Sequence, residues 1–238
     1  KYMNAITDKL VENGYKPLAN EKKQSLGDVK VVGKYLLSNK KNYAVAIMPE
    51  LTLPTGEPAD IDKLVDVPSG DGQTDVGLGV VADFKFVKNV TFTVAAKYTV
   101  QMSDKQALRV REKEDTKLTP DIDQSVDRDL GDIFEASIGT NYAVTDWANL
   151  VGAVNFGYKE ADKFSGTKFE KKRYDWMSID TEQNLTSFQV GADFHTLRLY
   201  QQGKFAAPLK TSLNYSGTLR GKNAGSDALY SLNLSLFF

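Results

Sequence analysis

A chain of 238 residues with 30 Lys and Arg against 31 Asp and Glu has a formal net charge of −1, which gives no electrostatic reason to expect a nucleic-acid partner. The absence of cysteine excludes a disulfide framework and Cys-based zinc sites. Nowhere do about 18 apolar residues follow one another, so a transmembrane helix is excluded, and the length suits a single domain.

The first segment, residues 1–25, is predicted to be an extracellular loop that contains a short helix. Its apolar residues share one helical face, and Gly14 follows them as a stop signal; they are Tyr2, Met3, Ile6, Leu10 and Val11. A plug inside a lumen is the alternative for the same segment. Because no leader precedes Lys1, we expect any export signal to have been removed or to lie upstream.

From Val29 onward, apolar and polar residues alternate with a period of two, which predicts amphipathic β-strands. The predicted strands are residues 29–37, 43–53, 75–86, 90–101, 134–144, 150–159, 188–195, 209–220 and 228–238. Each is close to the ~9–11 residues that a tilted strand needs to cross a membrane. Residues 26–238 are therefore predicted to form a transmembrane antiparallel up-and-down β-barrel. If Phe238 ends on the periplasmic side, a barrel whose two ends meet there needs one or three further strands before Lys1. The complete barrel would then have 10 or 12 strands.

The strands of a soluble β-sandwich show the same alternation of apolar and polar residues. Two features of the sequence favour the barrel over the sandwich. Short connections such as residues 38–42 and 87–89 alternate with long ones such as residues 54–73 and 103–128. Aromatic residues gather near strand ends, as expected at the two membrane interfaces. They are Tyr35, Tyr43, Phe86, Phe92, Tyr142, Trp147, Tyr200 and Phe238 at the short-turn end, and Tyr98, Phe134, Tyr158, Phe188, Tyr215 and Tyr230 at the other.

One set of charged residues occupies the strand positions that face the interior of the predicted barrel. We expect these side chains to line the lumen and to determine which solutes pass. The set is Lys30, Lys34, Glu50, Asp83, Lys85, Lys97, Glu135, Asp193, His195, Lys210 and Arg220. The five lysines of the set outnumber its four carboxylates, which predicts a modest preference for anions. Opposite charges that pair across the interior would instead narrow or seal it.

The last strand carries apolar residues at every second position. Tyr230, Leu232, Leu234, Leu236 and Phe238 resemble the C-terminal signal by which outer-membrane barrels are recognised by their assembly machinery. That resemblance implies a bacterial outer-membrane location with the C-terminus at the periplasmic side.

A second resemblance lies in residues 25–100. The segments Leu53-Pro54-Thr55-Gly56, Ser69-Gly70-Asp71-Gly72-Gln73 and Ser25-Leu26-Gly27-Asp28-Val29 are similar to the family of transporters associated with the meta-pathway of phenol degradation. The resemblance implies passage of small apolar or aromatic molecules, in the manner of the fatty-acid channel superfamily.

Three other sequence patterns do not indicate a binding or catalytic site. Gly77-Leu78-Gly79-Val80-Val81-Ala82 spells a dinucleotide motif but lies within a strand, where no helix N-terminus follows. His195, the only histidine, has no evident nucleophile, so we expect no enzyme. Two acidic stretches, residues 60–75 and 121–132, lack EF-hand spacing and are interpreted as solvated loop charge rather than calcium sites.

The sequence thus predicts a passive outer-membrane channel for small molecules, with no cofactor and no metal. Its expected partners are outer-membrane lipids, the barrel-assembly machinery and a small-molecule solute. A closed barrel that acts as an anchor or interaction protein through its long loops is the alternative.

Overall fold

The computed structural model of the chain describes residues 2–20, 22–116 and 118–237, with the backbone alone for residues 2–4. In chain order the strands are β1 (Val29–Val32), β2 (Tyr35–Asn39), β3 (Tyr43–Leu53), β4 (Asp75–Val87), β5 (Val90–Gln101), β6 (Asp104–Arg109), β7 (Ile122–Asp129), β8 (Ile133–Ala143), β9 (Ala148–Lys159), β10 (Lys163–Ser165), β11 (Gln183–His195), β12 (Leu209–Lys222) and β13 (Ala228–Leu236). The helices are α1 (Tyr2–Glu12), α2 (Lys171–Asp175) with a 3-10 turn at Trp176–Ser178, and α3 (Leu197–Gln201). None of these described helices is long and apolar enough to span a membrane.

The large sheet is an antiparallel meander in the order β1-β3-β4-β5-β8-β9-β11-β12-β13, with β2 also pairing with β3. This confirms the all-β up-and-down architecture predicted from the alternation. Among the described residues, no strand pairs with the outer edge of β1 and β2 or with that of β13, so these residues do not form a closed barrel.

β1 and β2 are one strand position, interrupted at Gly33 and Lys34, where a single strand was predicted. The cause lies opposite, at Pro49 of β3. The Gly33 amide donates to the Pro49 carbonyl oxygen at 2.9 Å. Because proline has no N–H, it cannot return the bond, and the ladder is broken there.

The two faces of the large sheet differ in chemistry because successive side chains of a strand point to opposite sides. On β4, Leu78 and Val80 are 56% and 44% exposed, whereas Gly77 and Gly79 are buried. We name the face of Leu78 the apolar face and the face of Gly77 the polar face. On β5, Tyr98 belongs to the apolar face, as its exposure and strand parity indicate.

Helix α1 ends at Glu12, just before the predicted stop signal Gly14, whose φ is +72°. The Tyr15 amide donates to the Leu10 carbonyl and the Gly14 amide to the Val11 carbonyl, both at 2.9 Å, which is a Schellman motif. Leu10 and Tyr15 are buried, as that motif favours, but Val11 remains exposed, so only part of the predicted apolar face is covered.

A second sheet, in the order β10-β7-β6, is built from segments that the sequence indicated as long loops. We name β6, β7, β10, α2 and the 3-10 turn the cap. Its core contains Val110, Val126 and Tyr174, all fully buried. Because β6 and β7 connect β5 to β8, and β10 and α2 connect β9 to β11, the cap lies at one end of the large sheet.

Candidate functional site

Four of the predicted interior residues form one network on the polar face. The Glu50 carboxylate lies 2.9 Å from Lys30 Nζ and 3.5 Å from Lys97 Nζ, and Lys97 Nζ lies 2.8 Å from Glu135. Glu50 is the most buried member, with 11% of its side chain exposed. Because two cations face two anions, the network is electrically neutral.

The network spans β4 without using a β4 side chain. Gly77 is the register partner of both Glu50 and Thr99, and Gly79 is that of Lys97. A Cβ at Gly77 would lie 3.2 Å from Thr99 Oγ1 and 3.3 Å from the Glu50 Cβ. The two glycines therefore leave the space through which Glu50 and Lys97 meet. Strand parity in the sequence already predicts that both glycines face the interior, but not that two charged side chains meet beside them.

Two further pairs lie on the same face. Lys210 Nζ is 3.1 Å from the Asp193 carboxylate, and His195 is the register partner of Lys210. The Thr93 hydroxyl donates to Asp83 at 2.6 Å. Interior pairing of opposite charges, one of the two outcomes considered from the sequence, thus involves Lys30, Lys97 and Lys210.

Of the predicted interior residues, five take no part in the ion pairs recorded among the described residues: Lys34, Asp83, Lys85, His195 and Arg220. Lys34 lies in the interruption between β1 and β2, and Lys85 is exposed near the short turn that follows β4. Arg220 lies beyond a register shift, where it pairs with Thr186 while Thr218 pairs with Ser187. The alternation that predicted an interior position for Arg220 is interrupted by that shift.

A cavity of about 350 Å³ lies beside the network. Gly79, Val81 and Ala95 contribute small apolar surface to its lining, and Ser137 and Asn155 contribute groups that can form hydrogen bonds. This combination of apolar wall, polar groups and a charged rim is typical of sites for small organic molecules.

The acidic stretches predicted as solvated loop charge are largely engaged in pairs. Asp60 contacts Lys16 at 2.8 Å, and that hydrogen bond lowers the pKa of the Asp60 carboxyl. In the cap, the buried Tyr174 hydroxyl donates to Asp123, which lowers the pKa of the Asp123 carboxyl. No three acidic, His or Cys side chains of the described part of the chain are grouped so as to hold a metal.

Arginines tie the cap to the rest of the protein. Arg128 donates to both Asp104 carboxylate oxygens, at 2.9 and 2.8 Å, and to the Asp71 carbonyl at 2.6 Å. Arg109 donates to the carbonyls of Asn13, Gly14, Ile61 and Thr119 and stacks over Tyr15, its guanidinium carbon 3.7 Å from the ring centroid. The cap, the connection after β3 and the segment after α1 are therefore joined.

The residues of the predicted assembly signal lie on β13, on one side of the strand. Tyr230 and Leu232 pair in register with Tyr215 and Leu213 of β12, and all four signal residues within the described chain are exposed. Phe238 lies outside the described residues. The signal itself stays a prediction.

No curated protein matches the chain. A family profile described as "Putative MetA-pathway of phenol degradation" matches residues 6–192, which includes the network, the cavity and the cap. This agrees with the resemblance found in the Gly-Asp and Leu-Pro-Thr-Gly segments. The match covers well over half of the sequence, and the chain belongs to this family.

Proposed function

We propose that the protein is an outer-membrane channel through which small molecules pass by passive diffusion along the polar face of the large sheet. The observation that carries the proposal is the two-faced sheet. Large apolar side chains such as Ile138 and Leu213 are 65% and 49% exposed on the apolar face. A surface of this kind is covered in a membrane, where strands satisfy every backbone group by pairing and only one face meets lipid.

Aromatic positions support the same orientation. The Tyr215 ring lies 4.7 Å from the Tyr230 ring and 5.6 Å from the Phe188 ring, in a group on the cap side of Leu213. Trp147 and Phe194 stack 6.3 Å apart near the opposite end. Aromatic side chains at two levels suit the two membrane interfaces. Long connections at the cap end and short turns at the other suit an extracellular cap and a periplasmic C-terminus.

For the solute, we propose a small uncharged molecule with one aromatic ring, of the phenol class that the family description names. A neutral network favours neither anions nor cations strongly, because each lysine is balanced by a carboxylate. The cavity offers Val81 and Ala95 to a ring and Ser137 and Asn155 to a hydroxyl group. Its volume of about 350 Å³ holds one such ring with room for water.

The test compares two tryptophan variants at neighbouring positions of β8. Ser137 lies on the polar face and lines the cavity, whereas Ile138 lies on the apolar face. We expect the parent protein to conduct ions in planar bilayers and to admit phenol into liposomes. Ser137→Trp should reduce both rates several-fold, and Ile138→Trp should leave both close to the parental rates. A parent protein that neither conducts nor admits phenol would refute the channel.

A closed barrel that acts through its surface is the second candidate, and the cap favours it. The cap has its own buried core and is joined to two other segments by arginine contacts, as an interaction module would be. Absence of conductance together with a folded, protease-resistant cap would make this candidate the better one.

A further inference from the structure

Three buried side-chain oxygens have no hydrogen-bond partner in the described part of the chain. They are Gln73 Oε1, Asp75 Oδ1 and Gln101 Oε1. Gln73 is 1% exposed and Gln101 is 7% exposed, so solvent does not replace the missing partners. A buried acceptor without a donor is costly, and native proteins rarely leave one unsatisfied.

The sheet register brings Asp75 and Gln101 together, and Gln73 lies close by along the chain. Asp75 of β4 and Gln101 of β5 are direct register partners on the polar face, and Gln73 precedes Asp75 by two residues. Directly opposed side chains in an antiparallel pair have Cβ atoms about 4.5–5.5 Å apart. The site therefore lies at the cap end of the sheet, where β4 begins and β5 ends.

The amide of Gln73 is oriented by the cap. Its Nε2 donates to Asp104 at 3.0 Å and to the Arg128 carbonyl at 3.4 Å. Because the two atoms of an amide point in different directions, Oε1 is turned away from these acceptors. The Gln101 backbone amide is likewise held, by the Asp132 carboxylate at 3.1 Å.

The charges around Asp75 favour a cation. The carboxylates of Asp28 and Asp71 are close enough to act electrostatically on Asp75, whose carboxylate also accepts a hydrogen bond from the Gln101 side chain. Lys30 also acts on it, but Lys30 Nζ is already 2.9 Å from Glu50. All three unpartnered atoms are acceptors, so they need a donor or a cation. Carboxylate and amide oxygens in irregular geometry are the ligands of Ca²⁺, which is less strict than Mg²⁺.

We propose that Gln73, Asp75 and Gln101 bind a hard cation, Ca²⁺ in preference to Mg²⁺, beneath the cap. The set has one carboxylate and two amides, so it differs from a group of three acidic or imidazole side chains. A bound ion would link the end of β5 to the connection before β4, and through Gln73 to the Asp104–Arg128 pair. Calcium would then hold the cap in place. The inference is independent of whether solutes pass along the polar face.

The test uses the full chain, folded in detergent, stripped with a chelator and titrated with CaCl₂ or MgCl₂ at constant ionic strength. Calorimetry should show saturable binding of one Ca²⁺, with a dissociation constant of about 10⁻⁴ to 10⁻³ M, as in extracellular modules. The thermal midpoint should rise with Ca²⁺ and less with Mg²⁺. Asp75→Asn and Gln101→Met should each weaken binding at least tenfold.

Two matched variants complete the experiment. Asp60→Asn removes a carboxylate from the exposed acidic stretch, where it contacts Lys16, and should leave Ca²⁺ affinity unchanged. Gln101→Glu keeps the size of the side chain and adds a charge, so it should bind Ca²⁺ several-fold more tightly. Equal weakening by Asp60→Asn would assign the binding to general surface charge. That result, failure of Gln101→Glu to bind more tightly, or absence of Ca²⁺ binding in the parent would overturn the proposal.

Discussion

Lys97 is the residue that joins the network, since its ammonium group contacts both Glu50 and Glu135. The two carboxylates differ in how far they are exposed to water. Glu135 is half exposed, so its pair with Lys97 is screened by water and contributes little. Glu50 is mostly buried and keeps Lys30 as a second partner if Lys97 is lost. The cost of losing Lys97 should therefore be smaller than that of leaving a fully buried charge unpaired.

We predict that Lys97→Gln lowers the free energy of unfolding by about 1–2 kcal/mol, because Glu50 then has one cation instead of two. Denaturant unfolding of the folded protein in detergent measures this value. Lys85→Gln, at an exposed position near a short turn, is the matched control and should change stability by less than about 0.5 kcal/mol. Equal losses in the two variants would show that the network does not stabilise the sheet.

Asp104 makes the attachment of the cap sensitive to acid. Burial by itself raises the pKa of the Asp104 carboxyl, but the hydrogen bonds from Arg128 and Gln73 outweigh it and hold the pKa below its usual value. A carboxyl whose pKa is lower in the folded state stabilises that state above its unfolded pKa of about 3.9. The contribution is lost as the pH falls through the lower, folded pKa.

We therefore expect the amides of β6 and β7 to exchange faster with solvent once the pH falls below about 4, after correction for intrinsic exchange rates. Amides of β9 and β11, in the large sheet, serve as the internal reference. Asp104→Asn should exchange faster at neutral pH and lose this pH dependence. A cap whose protection in acid matches that of β9 would contradict the role given to Asp104.

At the scale of the strand, the difference between the two faces can be tested by placing one charge on each. Leu213→Arg and Val94→Arg introduce arginine on the apolar face and should each cost about 2–4 kcal/mol if that face meets lipid near the membrane midplane. Ser212→Arg and Thr93→Arg place it on the polar face, where an arginine at residue 93 would meet Asp83. Folding free energies measured in lipid bilayers should separate the two sets, and equal costs would remove the lipid-facing assignment.

Arg109 of β6 makes several contacts to the segment after helix α1, to which the Lys16–Asp60 pair adds one. The Arg109 guanidinium group donates to the Asn13 and Gly14 carbonyls at 2.9 and 2.7 Å and stacks on Tyr15. Arg109→Ala should release this segment while the large sheet stays folded, because no strand of that sheet depends on the contact. Limited proteolysis should then cut near residues 13–20 at least several-fold faster than in the parent. Arg111→Ala, which removes contacts to the Glu114 and Trp176 carbonyls, is the control and should leave that rate unchanged.

At the scale of the whole molecule, the exposed apolar residues of β13 need a covering that the described residues do not provide. Leu234 and Tyr230 are 70% and 79% exposed. We predict that deletion of Phe238, or Phe238→Asp, sharply reduces heat-modifiable protein in the outer membrane, because the assembly signal is incomplete. Lys222→Gln, at the cap end of β12, is a control that leaves the signal intact. Unchanged assembly after deletion of Phe238 would show that the signal has been misread.

The sequence by itself determined most strands of the large sheet and the face on which most of their side chains lie, but not the interruption at Gly33 or the register shift before Arg220. The reason is that alternation has a period of two, so a single residue such as Lys97 or Glu135 is assigned by parity alone once its strand is known. The family was also readable from short segments, because glycine and proline at strand ends leave a local pattern.

Only the tertiary structure decided which charges meet and what the long connections form. The contact between Glu50 and Lys97 crosses β4 and depends on two glycines that contribute no side chain there. The cap core joins Val110 and Val126 to Tyr174, which lies far along the chain, so no local periodicity predicts it. The unpartnered oxygens of Gln73, Asp75 and Gln101 became evident in the same way, since burial and the absence of a donor depend on the packing of several distant segments.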